Sequence, residues 1–120
     1  MSRGRAGITV VLVSTLISCA QPRPPPASEE ERTAVTNAVL VCLDNAALKV
    51  DDRTSDASTI AVAIMGICDE KFRMLDEAYF RQENNATRQI LMSGTWDTHF
   101  KMAIRTVLAV RNGRTKGNAR

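Results

Sequence analysis

The sequence predicts an all-α fold, a three-helix up-down-up bundle whose first two helices form a hairpin stapled by a disulfide. Three observations lead there. Apolar residues recur three and four apart over three long stretches, and nowhere does the chain alternate with the period of two that a half-buried strand needs. Two polar segments, "DDRTSD" (Asp51–Asp56) and "ENNA" (Glu83–Ala86), separate those stretches. Cys42 and Cys68 lie symmetrically about the first of them. The chain has 120 residues, enough for one small domain. It is 44% hydrophobic and 24% charged, ordinary for a globular protein, but only 4% aromatic, which leaves little material for a base-stacking platform or an aromatic cage.

The first helix starts at Ser28. Ser28-Glu29-Glu30-Glu31 has the form of a capping box, in which the serine hydroxyl accepts from the amide three residues on and Glu31 reaches back. Three glutamates in the first turn also suit the positive end of the helix dipole. The stripe positions are Val35, Ala38, Val39, Cys42, Ala46 and then Lys49 or Val50. Thr54, Ser55 or Asp56 caps the second helix, which runs from about Ala57 to Glu83 with a stripe of Ile60, Ile64, Cys68, Phe72, Leu75 and Tyr79. Its first half, "TIAVAIMGIC", is apolar on nearly every side and is expected to be the most buried segment. Gly66 is expected to mark a close approach by a neighbouring helix. Asn84 or Asn85 caps the third helix, about Ala86 to Arg111, whose apolar face is Met92, Trp96, Phe100, Ala103, Ile104, Val107 and Leu108. Gly94 marks a point where that helix bends or divides, and Gly113 ends it.

The amino terminus gives an address. Arg3 and Arg5 precede the uncharged run "AGITVVLVSTLI", the pattern of a secretory signal peptide. As a helix, that run spans about 18 Å, short of the ~30 Å hydrocarbon core of a bilayer. Leu16-Ile17-Ser18-Cys19 resembles the lipobox of bacterial lipoprotein precursors. The resemblance covers residues 1–19. It implies that Cys19 receives a diacylglyceryl group, that signal peptidase II cuts before it, and that the mature chain begins there, acylated and held on a membrane. Ala20 and Gln21 follow the cysteine; the absence of the aspartate that favours inner-membrane retention in enterobacterial lipoproteins leans the expectation towards the outer membrane, facing the periplasm. The segment "AQPRPPPAS" then reads as an extended polyproline tether. The domain plan is a signal peptide over 1–18, a lipidated cysteine and tether over 19–27, a helical domain over 28–112, and a basic tail over 113–120.

Export sets the redox compartment, an oxidising one where disulfides persist. With Cys19 as the lipid site, Cys42 and Cys68 remain. In an antiparallel helix pair, residues equidistant from the turn stand at one height. The midpoint of 42 and 68 falls on Ser55, inside the turn, so the two cysteines should face each other; the alternative is two buried free thiols packing as small hydrophobes. The pattern of the two cysteines around "DDRTSDASTIA" also resembles small exported helical proteins of proteobacteria, which implies no activity.

No residue constellation points to catalysis. His99, in "WDTHF", is the single histidine and has no recognisable nucleophile beside it. One histidine and two bridged cysteines cannot fill a tetrahedral zinc site. Asp51, Asp52 and Asp56 do not follow the spacing of a calcium loop and read as helix caps. No Gly-rich phosphate loop is present, so no cofactor and no small-molecule substrate are expected. Losing Arg3 and Arg5 takes the sixteen Lys and Arg to fourteen against thirteen Asp and Glu, a formal charge near +1 that argues against a nucleic-acid partner. Arg111, Arg114, Lys116 and Arg120 form the one concentrated charge and read as a contact to an anionic surface. The expected function is therefore that of a non-enzymatic accessory, adaptor or structural protein of the cell envelope, working through contacts with an envelope partner. The alternatives are an inhibitor or immunity protein that presents the acidic Asp51–Asp56 loop to a hydrolase or toxin, and a plain secreted helical protein.

Overall fold

Four helices account for the described residues, 22–113 of the computed structural model: α1 (Glu29–Val50), α2 (Ala57–Ile67), α3 (Asp69–Phe80) and α4 (Asn85–Arg111). Among the described residues there is no strand. The all-α expectation is met with four helices instead of three, because the second stretch is interrupted at Cys68. There the backbone leaves helical geometry (φ −98°, ψ 11°) and the Lys71 amide shortens its bond to the Cys68 carbonyl, at 2.9 Å. The break falls two residues after Gly66, where no Cβ restrains the backbone, and on the residue that is cross-linked to α1.

The caps follow local chemistry closely. Ser28 accepts from the Glu31 amide at 3.1 Å, Asp56 from the Ser58 amide at 3.1 Å, and Asn84 from the Thr87 amide at 2.9 Å. The first cap is only half of the expected box. The Glu31 carboxylate does not fold back; it pairs with Arg81, just past the end of α3. At the far end of α1, Asp51 receives Arg111 from the last turn of α4: Nη2 lies 2.7 Å from Oδ1 and Nε 3.1 Å from both carboxylate oxygens. Gly113 follows α4 at φ +65°, the left-handed stop that the sequence suggested. Gly94 neither bends α4 apart nor divides it, since the helix is continuous from Asn85 to Arg111.

The core joins Val39, Leu43, Ala46 and Ala47 of α1 to Ile60, Ala61 and Ile64 of α2, Cys68 and Phe72, and Ala103, Val107 and Val110 of α4. Each fully buried Val, Leu or Ile contributes about 1.5–3 kcal/mol. Cys42 and Cys68 form a disulfide, with Cα atoms 6.0 Å apart, which ties α1 to the α2–α3 junction at the centre of that core.

Three expectations of burial fail together, and they fail on one side of the molecule. α2 is not buried all round: Val62 is 53% and Ile67 59% exposed. Trp96, assigned to the apolar face of α4, is 58% exposed. Gly66 is not a close-approach glycine, because a Cβ built there would meet nothing within 4 Å. The reason is geometric. α2 enters the core through Ile60, Ala61 and Ile64, so its opposite face, carrying Val62 and Gly66, is left open. α4 enters the core through Ala103, Val107 and Val110, and Trp96 lies before that stretch. Tyr79 and Leu108, also placed on the stripes, are likewise exposed.

Candidate functional site

The buried face of α3 carries one acid. Asp76 stands one turn after Phe72, in line with the apolar stripe, and is 8% exposed. Opposite it, α4 offers Thr95 and His99, four residues apart and so on the same face. His99 Nε2 lies 3.0 Å from Asp76 Oδ1, and Thr95 Oγ1 lies 3.1 Å from Asp76 Oδ2. The imidazole stacks on the Phe72 ring, with centroids 4.1 Å apart and planes inclined by 23°. Burying an ionised carboxylate without partners is costly, and these two polar neighbours are what make Asp76 tolerable in the core.

The donors do not fully cover the acceptors. An ionised carboxylate only accepts, so in the neutral ring Nε2 carries the proton and Nδ1 is left as an acceptor. Among the described residues, no donor bonds Nδ1. Thr95 has one hydroxyl proton and two acceptors in range, Asp76 Oδ2 at 3.1 Å and the Met92 carbonyl at 2.8 Å. It cannot donate fully to both.

Two clefts share this cluster as a wall. One, of about 310 Å³, is lined by Asp69, Phe72, Arg73, Met92 and Trp96 together with Asp76, Thr95 and His99. The other, also about 310 Å³, adds Thr36 of α1 to Leu75, Tyr79, Phe80, Thr98 and Met102. A neighbouring cleft of about 290 Å³ shares Asp69, Phe72, Trp96 and His99 with the first and reaches Val62, Met65 and Gly66. The open side of α2 is thus continuous with the buried polar cluster.

Apart from His99, the residues singled out from the sequence stand away from this site. Arg111 gives its guanidinium to Asp51 and to the Ser55 carbonyl, 2.7 Å away. The acidic loop is engaged in its own fold. Asp51 holds Arg111, whose hydrogen bonds draw its carboxyl below the ordinary carboxylate range. Asp52 accepts from the Ser55 hydroxyl and from the Ser55 and Thr54 amides and is drawn strongly downwards. Asp56 is lowered by the Ser58 hydroxyl and amide. Asp44, on α1, moves the other way, because burial raises it. Leu16, Ile17, Ser18 and Cys19, and Arg114, Lys116 and Arg120, lie outside the described residues. Among the described residues no three His, Cys, Asp or Glu gather as a metal site. Sequence reasoning missed Asp76 altogether and left His99 without a partner. The signal was present: Asp76 occupies a stripe position between Phe72 and Tyr79, where a solvated acid does not belong.

The fold and the cluster define a small all-α, disulfide-bonded domain with one buried Asp–His–Thr constellation. No family model, no curated protein and no solved structure matches the chain.

Proposed function

We propose that this chain is an exported, lipid-anchored helical protein that acts without catalysis, through contacts with a partner protein of the bacterial cell envelope. The observation that carries the contact reading is the surplus apolarity of α1. By length and composition α1 is apolar enough to cross a membrane, yet its first turn holds three glutamates and one face is already in the core. The other face leaves Leu40, Val41 and Leu48 between 43% and 49% exposed. Isolated exposed apolar residues are commonplace, but three on one side of a helix amount to a strip that a partner can cover.

The anchor reading rests on Leu16–Cys19 and is supported by the segment that follows. Pro22 to Pro26 are exposed and without regular structure, as a tether would be. The segment meets the domain beside the α3–α4 turn, where the Gln82 side-chain amide donates to the Pro24 carbonyl. We also read α2 and α3 together as the middle member of an up-down-up bundle. Glu31–Arg81 at one end of α1 and Asp51–Arg111 at the other support that order, as does the central disulfide.

The test is the intact mass of the protein from its native membrane fraction, followed by cross-linking. A mass of residues 19–120 plus acyl chains supports the anchor. An envelope cross-link lost in Val41→Asp and Leu48→Asp, but kept in an aspartate substitution elsewhere on the surface, supports the strip. A chain that still begins at Met1 without lipid removes the anchor and its compartment.

A further inference from the structure

We propose that the cleft beside Asp76 and His99 is a binding site for a small organic cation with a flat apolar body, an arylalkylamine in chemical class. This inference is independent of the lipid anchor and of the α1 strip. It starts from the hydrogen-bond inventory of the buried cluster. Asp76 Oδ2 competes with the Met92 carbonyl for a single hydroxyl proton, and the Met92 contact is the shorter. His99 Nδ1 receives no donor among the described residues. With the imidazole neutral, the cluster therefore offers the adjoining cleft acceptors in excess of donors, the reverse of what an anion requires. An ammonium group brings several donors and a positive charge, and both needs are met at once.

The rest of the lining agrees. Asp69, exposed in the first turn of α3, adds a second carboxylate. Asp69 and Asp76 outweigh the one guanidinium of Arg73, so the walls are net acidic. Trp96, more than half exposed, borders the same space and offers a ring face that attracts cations as well as flat apolar groups, and Phe72, stacked on His99, closes the apolar side. In a chain so poor in aromatics, this placement is specific. A volume of about 310 Å³ lies at the small end of ligand pockets and suits a molecule of one or two rings.

Trp96 is the only tryptophan in the chain, so its emission reports on this cleft and the one adjoining it. The purified protein is titrated with 2-phenylethylamine and, separately, with phenylacetate, which has the same ring but a carboxylate in place of the amine. The expected result is a saturable change with the amine, at a Kd of about 0.1–1 mM, and at least about tenfold weaker binding of the acid, as for a lost charged hydrogen bond. Asp76→Asn should weaken the amine by about tenfold or more. Should Asp76→Asn fail to keep its helical circular dichroism, Asp69→Asn, at an exposed position, decides, with a smaller loss expected. No saturable change with the amine, phenylacetate binding as tightly as the amine, or Asp69→Asn and Asp76→Asn both leaving the amine affinity unaltered would each overturn the proposal.

Discussion

Removing the cross-link by the double change Cys42→Ala and Cys68→Ala should destabilise the domain by about 3.5 kcal/mol. The figure follows from the sequence separation of 26 residues and the chain-entropy relation, in which tying two points of the unfolded chain removes conformations that folding would otherwise have to give up. For a domain of this size each kcal/mol moves the thermal midpoint by about 4–8 °C, so the midpoint should fall by about 14–28 °C. Alanine is the right replacement, because serine would bury a hydroxyl beside Leu43 and Ile64. The assay is helical circular dichroism against temperature and against urea. Urea adds a check on mechanism: if the disulfide acts by compacting the unfolded chain, its loss exposes more surface on unfolding and the denaturant slope must rise. Cys68 is fully buried, so the variant is a cleaner comparison than treating the native fold with a reductant. A loss under about 1 kcal/mol with an unchanged slope would refute the reasoning and mean that the packing around Cys68 holds α1 on the α2–α3 junction unaided.

Four further outcomes are expected. Leu43→Ala, at a fully buried position, should cost about 2–5 kcal/mol in urea unfolding, whereas Leu40→Ala, one turn-face away and exposed, should stay within about 0.5 kcal/mol. Arg53, a non-glycine residue at φ 59°, should tolerate glycine with no loss and a gain of up to about 1 kcal/mol, since the left-handed backbone costs glycine nothing. Asp51, Asp52 and Asp56 all titrate below their unfolded value near 3.8 in the fold; their stabilisation is complete above that value and drains away as pH falls below it, so the thermal midpoint should hold from pH 7 to about pH 5 and drop steeply below pH 4. Asp44 has the opposite sign, being raised by burial: its carboxylate opposes folding at neutral pH, so Asp44→Asn should raise the midpoint at pH 7 and the gain should shrink towards zero in acid.

What the sequence made legible were the decisions taken by a few neighbouring residues. Ser28, Asp56 and Asn84 cap helices because a short side-chain oxygen beside free amides leaves little choice, and Gly113 stops α4 for the corresponding steric reason. The cysteine pairing was legible too, because symmetry about Ser55 is a property of counting. What stayed hidden depended on the angle between helices. Periodicity finds a stripe but not its width, so Leu43 and Ala47 entered the core in place of Val35 and Ala38, which are only half-buried. Nor does it reveal that a helix is broken. Val62, two residues from both Ile60 and Ile64, sits on the side of α2 away from the core, and with Trp96 of α4 it borders the open cleft. The candidate site fell on that same blind spot, since pairing Asp76 with His99 requires the register of α3 against α4, which neither helix encodes alone.

That register is also held at points far from the cluster, and this connects the fold to the proposed functions. Glu31 and Asp51 bracket α1, and each takes an arginine from another part of the chain, Arg81 at the turn before α4 and Arg111 at the end of α4. Asp51 is almost wholly shielded, with 2% side-chain exposure, and Arg111 is held at 24%, so that pair fixes α4 along α1 more tightly than an exposed ion pair would. The disulfide fixes the α2–α3 junction between those two ends. With three ties to one helix, and with Arg88 of α4 paired to Glu77 of α3, α3 and α4 have little freedom to slide, and Asp76 and His99 keep their 3.0 Å contact. The consequence separates the two proposals. On this reading the α1 strip needs only α1, whereas the cleft needs all three ties. Breaking Arg111–Asp51 with Arg111→Met should therefore perturb Trp96 emission while leaving contacts made by Leu40, Val41 and Leu48 in place. Loss of both together would show that α1 itself depends on that arginine, and that the strip and the cleft are one cooperative unit.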